Sequence, residues 1–426
     1  MIAILLISFF VCLVLGFPIA IALGLSCLLG LALQPMTPLV VIAQRMFVSL
    51  DSFPLMAVPL YMLAGYLMST GGISRRIISF SSTLVGNITG GLAHVNILAS
   101  MIFAGISGSA VADTAGIGSI MIPTMVERKY SRAYTAAVTG ISSTIGIIIP
   151  PSIPMVIIGA MLGISVGKLF LGGIIPGVLI GLALMAVAYL MARRNRVPTN
   201  SEPFSLKAVF TSFMKAFWAL LMPAIVVVGI VGGIVTPTEA GAVAVLYALI
   251  IAMFVYRELT LKDVYEGLWK TALSTAKVFF LIATAGLYSW LLTANGFPAL
   301  VGRFLISITE SPTLMLMLIV LILLIITTFM ESIAALILLL PILFPVAQQV
   351  GIDPIHFGVM VVVSIGIGLV TPPVGLCLFV ASDIAETGIA EASRAVFPFV
   401  AAMIALSCLF IVFQEFITVI PRLLMG

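Results

Sequence analysis

The sequence contains few charged residues for its length. Asp, Glu, Lys and Arg make up 8% of the 426 residues, whereas hydrophobic residues make up 62%. A soluble domain carries about 25% charged residues, because its water-facing surface needs them. The longest polar stretch covers only residues 193–215, so no soluble domain is expected. The composition predicts an integral membrane protein, since many apolar runs approach the roughly 20 residues that span a bilayer.

Potential metal ligands and disulfide partners are equally scarce. The four cysteines lie far apart in apolar runs without a CxxC spacing, and the only histidines are His94 and His356. A structural metal site and a disulfide framework are therefore not expected. We interpret His94 as a structural residue at a helix start. The sequence has no His/Glu cluster of the kind that would favour an intramembrane enzyme. The net charge of +4 reflects loop residues rather than a nucleic-acid surface.

Apolar segments alternate with short polar connections along the whole chain. They are 2–16, 18–33, 54–70, 91–125, 133–164, 168–192, 216–235, 238–256, 276–294, 313–350, 355–382 and 395–420. Segments 91–125 and 313–350 are too long for one span and are interrupted near the middle, which predicts re-entrant helical hairpins. Whether segment 2–16 is a separate span or merges with 18–33 stays open. Four amphipathic stretches are interpreted as interfacial helices: 36–52, 72–88, 259–275 and 297–309.

The basic residues predict the orientation of these segments. Of the 19 Lys and Arg residues, most fall on one side of the arrangement, which is then cytoplasmic by the positive-inside rule. This side has Arg75, Arg76, Arg128, Lys129, Arg132, Arg193, Arg194, Arg196, Lys207, Lys215, Arg257, Lys262, Lys270, Lys277 and Arg394. The other side has Arg45, Lys168, Arg303 and Arg422. Both chain ends then lie outside, with the first hairpin open to the cytoplasm and the second to the periplasm.

The two halves of the chain share landmarks at an offset of about 220 residues. Asp113 precedes Pro123 by the same spacing that separates Glu331 from Pro341. Two further pairs match in the same order: 16–18 with 235–237, and 145–151 with 367–373. Combined with the opposite orientations, these landmarks predict two inverted repeats around a site near the bilayer midplane, which is typical of secondary transporters.

Each predicted repeat has scaffold helices, then a hairpin with a broken helix, then a closing helix. In the first repeat, 1–200, these parts are 1–90, 91–164 and 168–192. In the second repeat, 201–426, they are 216–294, 313–382 and 395–420.

Three segments inside the apolar regions contain residues that interrupt helices. Residues 104–114 combine glycines with small hydroxyl residues, while 146–154 and 368–375 each contain a Pro-Pro pair that removes two amide donors. Unwound main chain is tolerated at membrane depth only where protein buries it or it lines a cavity. Its free carbonyl groups suit a hard cation and its free amides suit an anion. Close helix packing and simple kinks are the alternatives, but the matched positions favour a binding site.

Three acidic residues lie in apolar surroundings: Asp113, Glu239 and Glu331. An ionised side chain there is costly, which makes each of them a functional candidate. Helix capping is the alternative role for all three.

Four motifs occur in the order of a known family: 108–114 (GSAVADT), 150–152 (PPS), 236–240 (TPTEA) and 371–375 (TPPVG). On these motifs, and over essentially its whole length, the chain resembles the large membrane subunit of tripartite ATP-independent periplasmic (TRAP) transporters, called DctM or SiaM. The resemblance implies the all-α fold of the ion-transporter superfamily, with inverted-topology repeats, re-entrant hairpins and broken helices. The outer helices would form a scaffold, and the hairpins and broken helices a mobile elevator domain.

The resemblance also implies the function and the partners. The chain would take part in sodium-coupled import of small organic anions, such as sialic acid or C4-dicarboxylates, at the bacterial inner membrane. A periplasmic substrate-binding protein would deliver the substrate, and a small four-helix membrane subunit, here a separate chain, would complete the assembly.

Binding residues carry over from the same resemblance. The first sodium site would use Ala104, Ser107, Gly146, Ile149 and Pro151, mostly through backbone carbonyls. The pseudo-symmetric second site would use Thr327, Gly368, Thr371 and Val374, with Thr327 standing where a glycine is expected. As a separate hypothesis that does not rest on the resemblance, we predict that the substrate contacts Ser109, Asp113, Ser152 and Thr371.

Two other functions fit the same composition. A stand-alone anion/cation symporter or antiporter of the same superfamily would need no binding protein. A permease of an ATP-driven importer would need a cytoplasmic loop that docks on an ATPase, and the basic loop 193–215 is the only candidate for it.

Overall fold

A computed structural model describes residues 1–33, 38–194 and 205–425, and these residues form helices without any β-strand. The first half contains α1 (Ile2–Val14), α2 (Ile19–Ala32), α3 (Val40–Leu50), α4 (Ala57–Thr70), α5 (Ile73–Val85), α6 (Gly91–Ser107), α7 (Ala110–Glu127), α8 (Arg132–Ser143), α9 (Ile153–Leu162) and α10 (Val166–Arg194). The second half contains α11 (Leu206–Val231), α12 (Pro237–Ile250), α13 (Leu261–Ala294), α14 (Phe297–Ile308), α15 (Pro312–Thr327), α16 (Ser332–Gln349), α17 (Pro354–Gly368), α18 (Leu376–Ile384), α19 (Ile389–Val412) and α20 (Glu415–Met425). Seven helical stretches among these ranges are long and apolar enough to cross a membrane.

The predicted interruptions of the long apolar segments are confirmed. Segment 91–125 divides into α6 and α7 at Gly108 and Ser109, and segment 313–350 divides into α15 and α16 at residues 328–331. The two broken helices are also observed, because α8 is separated from α9, and α17 from α18, at the Pro-Pro pairs. Hairpin, broken helix and long closing helix therefore follow one another in the same order in both halves. Their inverted orientation stays a prediction.

The separate interfacial helix predicted at 259–275 is wrong. The structure has one continuous helix, α13, of 34 residues, which is about 51 Å long. Thr260 and Asp263 form a capping box at its start, and no proline lies between there and Ala294. The amphipathic part is therefore the end of a helix that extends beyond the hydrocarbon core, which is only about 30 Å thick.

Both ends of the chain also differ from the predicted segments. Segment 395–420 is two helices, because α19 ends at Val412 and α20 begins at Glu415. At the N-terminus, a Cβ on Gly30 would lie 2.9 Å from Leu5 and 3.2 Å from the sulfur of Met1, so α1 and α2 run antiparallel. The merging of 2–16 with 18–33 into one bent span is therefore wrong. Each of the two helices is about 20 Å long, which is shorter than the hydrocarbon core.

Some sequence features lie outside the described residues. They are Arg196, the middle of the basic loop 193–215, the first two residues of the stretch 36–52, and the predicted boundary between the repeats at residues 200 and 201.

The hairpins and broken helices pack into one block that combines both halves of the chain. Helix α18 of the second half packs on α7 and α8 of the first, and α9 of the first half packs on α16 of the second. The approach is close, since a Cβ on Gly140 of α8 would lie 3.3 Å from the Cα of Leu378 in α18. Arg132 also links the halves by donating to the carbonyl of Ala385 at 2.9 Å.

A second group of helices, which includes α2, α3, α4, α12 and α13, packs together beside this block. Tyr61 of α4 donates to the carbonyl of Pro237 at 2.8 Å, and α13 packs on α2, α3 and α4. The first hairpin touches this group, because a Cβ on Gly65 of α4 would lie 3.1 Å from the Cα of Ser107. The hairpin tip therefore lies where the two groups of helices meet.

Candidate functional site

The first hairpin tip is a tight turn pressed against the first broken helix. Gly108 ends α6 in a left-handed conformation with φ of +64°, which glycine adopts without steric cost. A Cβ on Gly108 would lie 2.9 Å from the carbonyl oxygen of Pro151. The carbonyl of Gly108 accepts a hydrogen bond from the amide of Ile153 at 3.3 Å. Tip and break are thus joined through main-chain atoms.

The first broken helix exposes carbonyl groups to the hairpin. Helix α8 passes into a 3₁₀ turn at Thr144–Ile147 and stops before Pro150 and Pro151. The carbonyls of Gly146, Ile149 and Pro151 accept no hydrogen bond from the described residues. Pro150 lacks the amide that would bond to Gly146, while the amide of Ile153 donates to Gly108 and that of Met155 donates to Ser152. The segment itself is anchored by Ser152, whose hydroxyl donates to the carbonyl of Ile147 at 2.5 Å.

Asp113 joins the same place from inside α7. Its side chain is fully buried, and its Oδ1 accepts a hydrogen bond from the Ser107 hydroxyl. Its Oδ2 has no hydrogen-bond partner among the residues that the structure describes, and it lies directly against Gly146, where a Cβ would collide with it. An ionised carboxylate buried in this way is strongly destabilising unless a positive charge balances it.

Most of the residues predicted for the first sodium site are therefore close together. Asp113 contacts both Ser107 and Gly146. Gly108, which follows Ser107 in the chain, lies against the carbonyl of Pro151. Ala104 lies in the last turn of α6, where its carbonyl does not receive the amide of Gly108. Ile149 contributes a free carbonyl while its side chain packs against Gly177 of α10. The oxygen atoms around this point are the ligands that hard cations prefer.

The second hairpin and broken helix are joined by a main-chain hydrogen bond like the one between Ile153 and Gly108. The amide of Val374 donates to the carbonyl of Thr328 at 3.3 Å, as that of Ile153 does at the first tip. Gly368 lies against Thr327, and a Cβ on Gly368 would lie 2.5 Å from the Cβ of Thr327. The hydroxyl of Thr371 donates to the carbonyl of Ile367 at 2.7 Å. The four residues predicted for the second sodium site are thus in one neighbourhood.

The second site differs from the first in two respects. The carbonyl of Gly368 accepts the amide of Thr371 at 3.2 Å, whereas the carbonyls of Thr371 and Val374 are among those that accept no hydrogen bond from the described residues. Val374 is 39% exposed, so this break lies at the surface of the block while the first is buried. Glu331, which occupies the place of Asp113 in the sequence repeat, points back to its own helix.

The acidic residues divide between the two roles proposed for them. Glu331 caps α16 by accepting the amide of Ala334 at 2.9 Å, and Glu239 forms a capping box with Thr236. Capping is therefore observed for both. The cap of α7 is Ser109 rather than Asp113, which leaves Asp113 as the functional candidate. His94 contacts the carbonyl of Thr89 at 3.2 Å, as expected for a structural residue at a helix start.

Two cavities meet at Ser109. A small one of about 60 Å³ lies between the two hairpin tips and the broken helices, and its polar lining is Ser109, Glu331 and Ser332. A larger one of about 560 Å³ runs from Ser107 and Ser109 along α7, between α4 and α13. Of the predicted substrate residues, Ser109 lines both cavities. Asp113, Ser152 and Thr371 line neither.

The larger cavity contains polar residues that the sequence did not predict for the site. They are Ser69, Ser119, Lys270, Thr271 and Ser274. Lys270 lies 2.6 Å from Glu266 and 5.3 Å from the ring of Tyr66. The available signal was the row of small residues along α7, where Ala112, Ala115 and Ser119 recur at helical spacing and share one face.

Comparisons with known proteins agree with this architecture. The family described as "Tripartite ATP-independent periplasmic transporter, DctM component" matches residues 6–416. The Vibrio cholerae sialic acid TRAP transporter large permease protein SiaM is 40% identical over 96% of both chains. The Pseudomonas aeruginosa C4-dicarboxylate TRAP transporter large permease protein DctM is 40% identical over 94% of this chain and 92% of that one.

Two further proteins are similar to this chain, one in sequence and one in fold. The Oleidesulfovibrio alaskensis isethionate TRAP transporter permease protein DctMQ is 41% identical over 97% of this chain, which spans 65% of that protein's length. The crystal structure of the Alcanivorax borkumensis YdaH transporter has the same fold, with a TM-score of 0.63 at 16% identity and coverage of 96% and 98%. The chain therefore belongs to the DctM family of TRAP transporter large permease subunits, and it is a multi-pass protein of the bacterial inner membrane.

Proposed function

We propose that this chain forms the transport pathway of a sodium-coupled secondary importer of small organic anions. The observation that carries the proposal is the pair of main-chain bonds from Ile153 to Gly108 and from Val374 to Thr328. Each lies beside carbonyls that accept no hydrogen bond from the described part of the chain. The substrates named for the relatives, sialic acid, C4-dicarboxylates and isethionate, are all small organic acids. This chain is proposed to carry a substrate of the same class.

The first cation is proposed to bind between the first hairpin tip and the first broken helix. The carbonyls of Gly146, Ile149 and Pro151 are free to coordinate it, together with Ser107. Asp113 is one of the predicted substrate residues, but its complete burial and its place against Gly146 favour a role beside this cation. A sodium ion there balances the charge of the carboxylate, which offsets the cost of burying it.

A second cation is proposed at the corresponding position of the second half. Its ligands are expected from Thr327, Gly368, Thr371 and Val374, with the free carbonyls of Thr371 and Val374 contributing most. No carboxylate equivalent to Asp113 is aimed at this break, since Glu331 caps its own helix. We therefore expect the second ion to bind more weakly than the first.

The anion is proposed to bind at Ser109 and to leave through the larger cavity, where Lys270 lies on the predicted cytoplasmic side. The amides of Ala110 and Val111 at the start of α7 donate to no main-chain carbonyl in the described ranges, and a helix N-terminus favours negative charge. Lys270 supplies a positive side chain to the same cavity. Ser152 and Thr371, whose hydroxyls are bonded within the broken helices, would then act by holding the breaks rather than by contacting substrate.

Coupling follows from sharing the hairpin tip between ion and substrate. A cation at the first site fixes Ser107 and Gly108, which positions Ser109 for the anion. The anion then binds better to the ion-loaded form, and by linkage the ion binds better in the presence of the anion. The loaded block of hairpins and broken helices is proposed to slide against the surrounding helices as an elevator. A periplasmic binding protein would deliver the anion, and a small four-helix membrane subunit would complete the complex.

Reconstitution into liposomes tests this function. The chain would be incorporated with its small membrane subunit and supplied with its binding protein and radiolabelled sialic acid, a C4-dicarboxylate or isethionate. We expect uptake only with an inward sodium gradient and the binding protein, and no uptake with a potassium gradient of equal size. Uptake by this chain alone would favour a stand-alone symporter or antiporter, and a requirement for internal ATP would favour the permease of an ATP-driven importer.

A further inference from the structure

A basic cleft lies between α5 and α11, away from the hairpins. We define it by Arg75, Arg76, Lys215, Trp218 and Glu258, which line a cavity of about 560 Å³. A neighbouring hollow of about 430 Å³ shares Lys215 and extends it along both helices. The additional polar lining of that hollow is Thr83, Ser205, Lys207 and Thr211.

The charges of the basic cleft are only partly balanced. Arg76 is held in place, because it pairs with Glu258 at 2.7 Å and lies 3.7 Å over the ring of Tyr256. Arg75 and Lys215 form no ion pair with any described residue. The cleft therefore carries a net positive charge that the described part of the protein leaves uncompensated.

The position of the arginines on α5 adds to this positive potential. Both lie in the first turn and a half of the helix, which begins at Ile73 and has no acidic residue in its first turn. The amino end of a helix carries a partial positive charge, so basic side chains are unfavourable there and an anion is favourable. Arg76 donates a hydrogen bond to the carbonyl of Gly72, just before the helix, at 2.9 Å.

The rim of the basic cleft is apolar and faces outward. Trp218 is 41% exposed and Met214 is 52% exposed, and both line the cavity. Tryptophan is enriched where membrane hydrocarbon meets the headgroups. The positive-inside distribution places Arg75, Arg76 and Lys215 on the cytoplasmic side, where the leaflet is rich in anionic lipid.

We propose that the basic cleft binds the phosphate headgroup of an anionic phospholipid, with an acyl chain lying along Met214 and Trp218. Arg75 and Lys215 hold the phosphate, while Arg76 is kept in position by Glu258 and Tyr256. Because α5 packs on α11 and on the hairpin helix α6, the bound lipid ties the surrounding helices together at the base of the first hairpin.

Native mass spectrometry of the purified full-length chain tests this assignment. The protein in detergent would be titrated with phosphatidylglycerol, phosphatidylcholine or inorganic phosphate. The test variant is Arg75→Gln/Lys215→Gln, and the matched control is Lys262→Gln/Arg394→Gln, which removes the same charge on the same predicted side outside the basic cleft. We expect wild type and control to bind phosphatidylglycerol alike, and the test variant to bind it at least about tenfold more weakly.

Each other outcome overturns a defined part of the proposal. Equal weakening in the test and control variants would mean that the effect is general surface charge. Equal binding of phosphatidylcholine would remove the role of headgroup charge. A further outcome is that inorganic phosphate at millimolar concentration displaces phosphatidylglycerol and binds with the same affinity as the lipid. That result would show that the site recognises phosphate alone and not lipid. Circular dichroism of each variant separates these results from loss of fold.

Discussion

The carboxylate of Asp113 lies directly against the α-carbon of Gly146, although the two residues belong to different helices. One carboxylate oxygen accepts the Ser107 hydroxyl, while the other has no hydrogen-bond partner in the described structure. Glycine is required at position 146 because any side chain would occupy the place of that oxygen. The contact joins the first hairpin to the first broken helix at the point where free carbonyls converge.

Gly146→Ala is expected to abolish sodium-coupled uptake. The added methyl group collides with Asp113, and neither the buried carboxylate nor the packed break has room to move away. Uptake in proteoliposomes measures the effect. Gly24→Ala is the matched control, because its methyl group would meet only Thr284 at an ordinary distance of 3.6 Å. Unchanged sodium dependence in Gly146→Ala would contradict the proposed first cation site.

Asp113→Asn is expected to separate stability from sodium binding. The amide has the same shape but no charge, so the cost of an unbalanced buried carboxylate disappears. The melting temperature without sodium should stay the same or rise, while the increase on adding sodium should largely vanish, as expected for a ligand whose affinity falls. Thermal unfolding in sodium and in potassium chloride gives both quantities. Asp263→Asn, outside the site, should keep the full sodium increment, and an equal increment in Asp113→Asn would refute the role of its charge.

Thr371 provides a test of the second broken helix. Its hydroxyl donates to the carbonyl of Ile367 at 2.7 Å, so Thr371→Ala should loosen the break. The half-saturating sodium concentration for uptake should rise about tenfold, which corresponds to a cost of about 1.4 kcal/mol. Thr371→Ser retains the hydroxyl and should stay near wild type. The half-saturating sodium concentration for uptake is the measurement. If the alanine and serine variants behave alike, the hydroxyl has no part in the site.

Lys270 is expected to stabilise the anionic substrate within the larger cavity. Lys270→Gln should raise the KM for the anion about threefold to tenfold with little change in kcat, because a single partly exposed charge contributes modestly to binding. Lys262→Gln removes the same charge near the start of the same helix and outside the cavity, so its KM should match that of wild type. A lower kcat with unchanged KM would instead place Lys270 in the conformational step.

Much of the fold could be predicted because helix interruptions leave strong signals. The prolines at 150, 151, 372 and 373 and the glycine at 108 predict breaks within otherwise apolar runs, and the structure has each of them. The continuity of α13 from Leu261 to Ala294 could not be predicted. Amphipathic character indicates which surroundings a helix has, but it does not indicate where the helix ends. The antiparallel packing of α1 on α2 depends on contacts such as Gly30 with Leu5, which have no local signature.

The candidate site was predictable in its location but less so in the role of each residue. The first hairpin and broken helix were expected to meet, and they do so through Gly108 and Ile153. The separation of Asp113 from the cavity, and its contact with Gly146, depend on side-chain directions in two packed helices. The sequence places Lys270 only on the cytoplasmic side within the amphipathic stretch 259–275, because the cavity beside it forms between helices that are distant in sequence.

Direct binding of ²²Na⁺ to the purified chain tests the two-site account most closely. Wild type should bind more than one sodium ion saturably, Gly146→Ala should lose the tighter site, and Gly368→Ala should lose the other because its methyl group meets Thr327. Binding of ²²Na⁺ that is not saturable in wild type, or that has the same stoichiometry in both variants as in wild type, would contradict the account.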